Sequence, residues 1–251
     1  MKNILNMTGK KVLITGGSRG LGYAMALGFA GQGADIAITS RKIESCKAAA
    51  DDVRRFGVET FVHPCHVGQW SELEKLADAV YDHFGRVDVL INNAGMSPVA
   101  PSSMETSEAL FDKIVAVNFK GPFRLSALVG SRMANTDGGS IINISSTASV
   151  RPTPETAPYS GAKAGLNAIT IAFAKEFGPK VRVNAIMCGP FHTDATRNWS
   201  KSEEFETTAK KNIALQRVGF PGEVVSTALY LASDASSYTT GSIVEVHGGA
   251  I

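Results

Sequence analysis

Short apolar runs alternate with longer amphipathic ones along most of this chain, and that rhythm restricts its fold more than any other feature. Residues 11–15, 34–39, 58–62, 87–91, 140–144, 181–186 and 242–246 read as strands. Between them, residues 21–32, 44–56, 71–84, 107–117, 122–134, a stretch carrying Tyr159 to about residue 177, and 222–231 read as helices. Strands that are continuously apolar are buried on both faces. Parallel strands need crossovers, and helices supply them. The expectation is an α/β fold, a Rossmann-type doubly wound parallel sheet of about seven strands with helices on both faces. No repeat, low-complexity tract or long linker divides the sequence, so a single domain is expected over residues 1–251, with the polar stretch 193–212 as a mobile lid.

Composition narrows the function classes. The chain is 44% hydrophobic and 19% charged, which is globular. Its formal net charge of +2, without a basic run or acidic tail, gives no electrostatic case for nucleic acid or a membrane surface. No run approaches the roughly 20 apolar residues of a membrane span, and residues 1–10 lack a signal-peptide core. Cys46, Cys65 and Cys188 are sparse and odd in number, which suits reduced thiols in a cytoplasmic protein. The histidines show no metal-ligand spacing, and no metal is expected.

In such sheets ligands bind outside the carboxyl ends of the strands. The first strand leaves through Thr15-Gly-Gly-Ser-Arg-Gly-Leu-Gly22. Gly16, Gly20 and Gly22 let the backbone turn tightly and approach a pyrophosphate resting on the next helix's positive end. The second strand leaves through Ser40 and Arg41, where an NAD site would place a carboxylate. The nearby carboxylate, Asp35, falls at the strand's opposite end. Arg41 and Arg19 can together grip a ribose 2′-phosphate by charge-assisted hydrogen bonds. The dinucleotide expected is NADP(H).

Tyr159 and Lys163 lie four residues apart, on one helix face. A free phenol titrates near ~10. A neighbouring ammonium favours the phenolate, which lowers that value. A tyrosine so tuned can pass a proton to or from an alcohol oxygen.

Taken in order along the chain, these motifs resemble the short-chain dehydrogenase/reductase family. Thr15-Gly-x-x-x-Gly-x-Gly22 is similar to its glycine motif, and Asn92-Asn-Ala-Gly95 to its sheet-stabilising, cofactor-lining segment. Asn118, Ser146, Tyr159 and Lys163 stand where that family keeps its catalytic tetrad, Ser146 being 13 residues before the tyrosine. The resemblance implies an oxidoreductase moving a hydride between NADP(H) and a carbonyl or secondary alcohol, with Tyr159 as general acid/base. It further implies that Ser146 steadies the substrate oxygen, Lys163 holds the nicotinamide ribose and tunes Tyr159, and Asn118 links Lys163 to solvent through its backbone and a water. Cofactor contacts are implied at Gly16, Ser18, Arg19, Gly20, Leu21, Gly22, Ser40, Arg41, His66, Val67, Asn93, Ala94, Gly95, Tyr159, Lys163, Gly189, Phe191 and Thr193. A homotetramer is implied as well.

Three positions depart from the family pattern: His66 replaces an aspartate, Cys188 stands in a Cys-Gly-Pro in place of Pro-Gly, and His247 replaces an aspartate before Gly-Gly. His66 reads either as an adenine contact or as a solvated loop residue, and Cys188 as a packed thiol. A substrate pocket lined by Met96, Ser97, Thr147, Ala148, Thr153, Phe191, His192 and the lid would suit a neutral or lightly polar small-molecule carbonyl compound. A 3-oxoacyl-[acyl-carrier-protein] reductase is the second reading. A non-catalytic NADP(H)-sensing regulator is the third, and the intact tetrad argues against it.

Overall fold

The computed structural model of the chain describes residues 4–194, 196 and 202–250. Residues 195 and 197–201 of the expected lid therefore lie outside the described part. Among the described residues, β1 (Lys11–Thr15), β2 (Asp35–Ser40), β3 (Thr60–Pro64), β4 (Val89–Asn92), β5 (Gly139–Ser146), β6 (Val181–Cys188) and β7 (Ile243–Val246) form one sheet. Its order is β3-β2-β1-β4-β5-β6-β7, and every neighbouring pair is parallel. The helices are α1 (Gly20–Ala30), α2 (Ile43–Arg54), α3 (Trp70–Phe84), α4 (Glu108–Val115), α5 (Gly121–Ala134), α6 (Ala157–Phe177), α7 (Glu203–Asn212) and α8 (Val225–Ala232).

Successive strand residues feed opposite faces, as the two-residue period requires. Val12 and Ile14 join Ile36, Ile38 and Ile91 in a core closed by Met25 and Phe29 of α1, Ala50 of α2 and Leu231 of α8. Leu13, Ala37, Leu90 and Ile141 face the other way, onto Leu73 and Leu76 of α3, Val129 of α5 and Phe173 of α6. The order in which strands are added reverses between β1 and β4, which opens a crevice at their carboxyl ends.

β5 carries one polar residue within its apolar run, Asn143, and it is fully buried. A buried amide must find partners. Asn143 Oδ1 accepts from Asn92 Nδ2 at 2.9 Å, and Asn143 Nδ2 donates to Thr170 Oγ1 at 2.9 Å. Asn92 Nδ2 also donates to Ser126 Oγ at 2.9 Å, and Thr170 Oγ1 to Leu166 O at 2.8 Å. This chain bolts α6 to the sheet beneath the crevice.

Two features differ from the sequence expectation. Part of the polar stretch taken as a mobile lid is helical: α7 is capped by Ser202, whose hydroxyl accepts from Phe205 N at 3.2 Å. Helices α4 and α5 are joined without a break by a π turn, Ala116–Lys120, which contains Asn118.

Candidate active site

The glycine turn is tied to the exit of β4. Thr15 Oγ1 accepts the N–H groups of Asn93 and Ala94, each at 3.0 Å, while Asn93 Nδ2 donates to Thr15 O at 2.9 Å and to Gly16 O at 3.2 Å. Gly16 and Gly20 adopt φ of 65° and 57°, which favours glycine. A Cβ at Gly22 would stand 2.4 Å from both Gly16 O and Asn93 Nδ2. Arg19 begins α1 without capping it, and the first turn holds no acid, so the early helix N–H groups are free to meet an anion. A cavity of about 390 Å³ opens beside this turn, lined by residues that include Ser18, Arg19, Gly20, Ser45 and Asp194. A Cβ at Gly20 would lie 3.4 Å from Thr193 Cβ, so the start of the expected lid rests on the turn. A pyrophosphate-bearing cofactor fits this cradle.

Arg19 and Arg41 are exposed, and neither forms an ion pair among the described residues. Asp35, at the start of β2, is taken by Lys11 at 2.6 Å at the far end of the sheet. Ser40 Oγ lies 3.1 Å from Cys46 Sγ. His66 Nδ1 accepts Gly68 N–H at 3.1 Å, which leaves Nε2 as the protonated, donating nitrogen. Val67 next to it is nearly buried. Leu21, Ala94 and Gly189 are half-buried and Gly95 is exposed. Phe191 is 5% exposed with its ring in the core, so main-chain atoms are what it offers the crevice.

The end of β5 meets α6 at the crevice floor. Ser146 is the last residue of β5, paired in register with Cys188 of β6. Its Oγ accepts Ala148 N–H at 3.2 Å, and Ser146 influences the Tyr159 phenol, favouring its ionised form. Lys163 is 4% exposed; its Nζ donates to Ile144 O at 2.7 Å and lies 5.8 Å from the Tyr159 ring centroid. An ammonium has three donors, so two remain for ribose hydroxyls. Burial draws Lys163 down to about 8. The sequence expectation that Lys163 lowers Tyr159 is not met in the protein alone. Burial is the largest influence on the phenol and pushes it above its ordinary value, while Ser146 pulls the other way. Cys188 is buried, and its thiol is pushed up to about 12, so it is a packed neutral thiol rather than a nucleophile.

Asn118 Nδ2 donates to Met96 O at 2.8 Å and Ile114 O at 2.9 Å, and its Oδ1 accepts Met96 N–H at 3.2 Å. Both side-chain donors are committed, one to the segment after Gly95 and one to α4, which leaves no side-chain N–H for a relay. Of the expected substrate-pocket residues, Thr147 and Ala148 form the turn after β5, and the His192 ring packs on Phe220 at 5.4 Å.

Sequence reading placed Thr15 in the glycine motif without its tie to β4, and missed Asn143, Thr170, Ser149 and Asn167. A polar residue interrupting the apolar run of β5 was the available signal for Asn143. No local pattern marks Ser149, whose Oγ donates to Ser146 O at 2.6 Å, or Asn167, whose Nδ2 donates to Ser149 Oγ at 2.9 Å.

Comparison with known proteins agrees with this layout. The profile of a family described as enoyl-(acyl carrier protein) reductase matches residues 16–250. Dehydrogenase/reductase SDR family member 4 of Homo sapiens is 31% identical over 97% of this chain and 88% of its own length. A 3-oxoacyl-[acyl-carrier-protein] reductase of Thermotoga maritima is 33% identical over 98% of this chain and all (100%) of its own. Among solved structures, a 7α-hydroxysteroid dehydrogenase complexed with NADH and 7-oxo glycochenodeoxycholic acid superposes with a TM-score of 0.94 at 31% identity. That match covers 100% of this chain and 98% of the other.

Proposed function

This chain belongs to the short-chain dehydrogenase/reductase family, and we propose that it is an NADP(H)-dependent member that interconverts a small carbonyl compound and its secondary alcohol, with Tyr159 as the general acid/base. The family's oxidoreductases act with nicotinamide cofactors, which supply or accept the hydride when bound. The remaining work falls to this chain. Tyr159 gives its proton to the substrate oxygen in reduction and takes it back in oxidation. Ser146 donates to the same oxygen as negative charge grows there, an oxyanion-type role. Lys163 holds the ribose with the two N–H groups left after its bond to Ile144 O. Asn118 and its π turn lead from this floor toward solvent. The described residues form one domain, and the three free, buried cysteines suit a cytoplasmic setting.

The observation that carries the reading is the placement of buried Lys163 5.8 Å from the Tyr159 ring, one helical turn on, with its Nζ on Ile144 O and Ser146 ending β5 beside them, next to the phosphate cradle. Arg19 and Arg41, exposed and in no ion pair among the described residues, support NADP(H), whereas the NADH-bound relative sets the alternative. Fluorescence titration decides between them. Tighter binding of NADPH than NADH is expected, and Arg41→Ala should erode the preference by about 1.5–3 kcal/mol, the worth of a charged hydrogen bond. Equal affinities in the native protein would refute the assignment. The Thermotoga maritima relative favours one further reading, a 3-oxoacyl-[acyl-carrier-protein] reductase. Following nicotinamide absorbance over ketones, secondary alcohols and oxoacyl thioesters separates the two: turnover confined to thioesters selects the second reading.

A further inference from the structure

Asn167 lies one turn beyond Lys163 and two beyond Tyr159 on α6, so all three share one helix face. Its amide starts a chain of two hydrogen bonds: Asn167 Nδ2 to Ser149 Oγ at 2.9 Å, then Ser149 Oγ to Ser146 O at 2.6 Å. Proton counting fixes the direction. The Ser146 carbonyl can only accept, so the single Ser149 proton goes there. Ser149 can then only accept from Asn167, which requires the NH₂ end of the amide to face it. Asn167 Oδ1 is buried without a partner among the described residues. Such an orphan costs stability, so the amide is poorly explained as a device for holding the fold together.

The far end of this chain is the serine read above as the donor to the substrate oxygen. Ser146 holds an extended backbone (φ −150°, ψ 150°), and its Oγ takes the Ala148 N–H. Its hydroxyl proton is thereby turned away from the turn. Anchoring the Ser146 carbonyl fixes the peptide plane and with it the side chain's aim. We propose that Asn167 and Ser149 are positioning residues that hold the Ser146 hydroxyl against Tyr159, acting from the helix that carries Tyr159 and Lys163. The proposal rests on the reading of Ser146 and Tyr159 as partners in catalysis. Serine and tyrosine then keep register because one helix sets both.

The test follows the tyrosinate absorbance of each protein against pH, minus that of its Tyr159→Phe counterpart, so that the Tyr159 midpoint is isolated. Because Ser146 lowers Tyr159, loosening Ser146 should raise the midpoint. Asn167→Leu and Ser149→Ala are expected to shift it upward in the direction Ser146→Ala does. Ser149→Thr, which keeps the hydroxyl, should leave it at the native value. Asn167→Leu added to Ser146→Ala should produce no further shift, an outcome that a merely structural role would not give. Its melting temperature should equal or exceed the native one, since the orphaned oxygen leaves with the amide. If Ser146→Ala moves the midpoint and Asn167→Leu does not, the positioning role is overturned. If Ser146→Ala itself leaves the midpoint unmoved, the Ser146–Tyr159 partnership fails instead.

Discussion

Burial, more than the neighbouring charge, sets the protonation of Tyr159 and Lys163 in the protein alone. Lys163 is a cation below about 8 and neutral above it. An unfolded lysine stays charged to ~10.4. Between those values the unfolded chain binds more protons, so this group's contribution to stability rises with pH across that window. Any ionic part of its grip on the cofactor runs the opposite way, present below about 8 and lost above it. NADPH affinity should therefore fall as pH rises through about 8, and Lys163→Met should bind weakly with that dependence gone. At neutral pH the variant's melting temperature should match or exceed the native one, because a buried charge has been removed. Fluorescence titrations across pH check this, and a native affinity flat from neutral to alkaline pH would contradict it. The pair itself was legible from its spacing of four residues. The direction of the Tyr159 shift was not, because a sequence displays charge and conceals how deeply a phenol is buried.

Helix α6 is placed by a buried polar chain as well as by apolar packing. Replacing Asn143 by Leu keeps the branched outline but strips the acceptor from Asn92 and the donor from Thr170. A loss of about 1–3 kcal/mol is expected for buried groups left unsatisfied, read as a lower denaturant midpoint at unchanged slope. An unaltered midpoint would show that apolar contacts alone seat the helix. The strands were legible because β1, β2 and β4 to β6 are nearly continuous apolar runs buried on both faces. Helix α7 was not, since most of its surface is polar. Its signal was the sparse stripe Phe205, Ala209 and Ile213, which packs with Val218. β5 and β6 run two residues past their expected ends, and those extra residues bring Ser146 beside Cys188. Such ends are set by pairing across the sheet, which local composition does not encode.

The sheet leaves one long side of α6 uncovered. Gly161, Ala164, Ala168, Ile171 and Ala172 are exposed there, with Ile171 43% exposed, while Leu166, Thr170, Phe173 and Phe177 on the opposite side are buried. Small residues permit close approach of a second helix, and an isologous contact across a two-fold axis would cover the stripe. A homotetramer is expected by sedimentation at micromolar concentration, and Ala168→Glu should reduce the assembled mass. A monodisperse native monomer would contradict that assembly. The parallel sheet and its crevice were foreseeable from strand–helix alternation, whereas a helix apolar all round foretells a partner without naming it. The central proposal is proton transfer at Tyr159, and Tyr159→Phe interrogates it with the loss of one hydroxyl. On a carbonyl substrate turned over by the native protein, the variant should bind NADPH with near-native affinity and lose reduction by at least ~10²-fold, the lower range for general acid catalysis. A variant that binds NADPH and still reduces that substrate at close to the native rate would contradict the account.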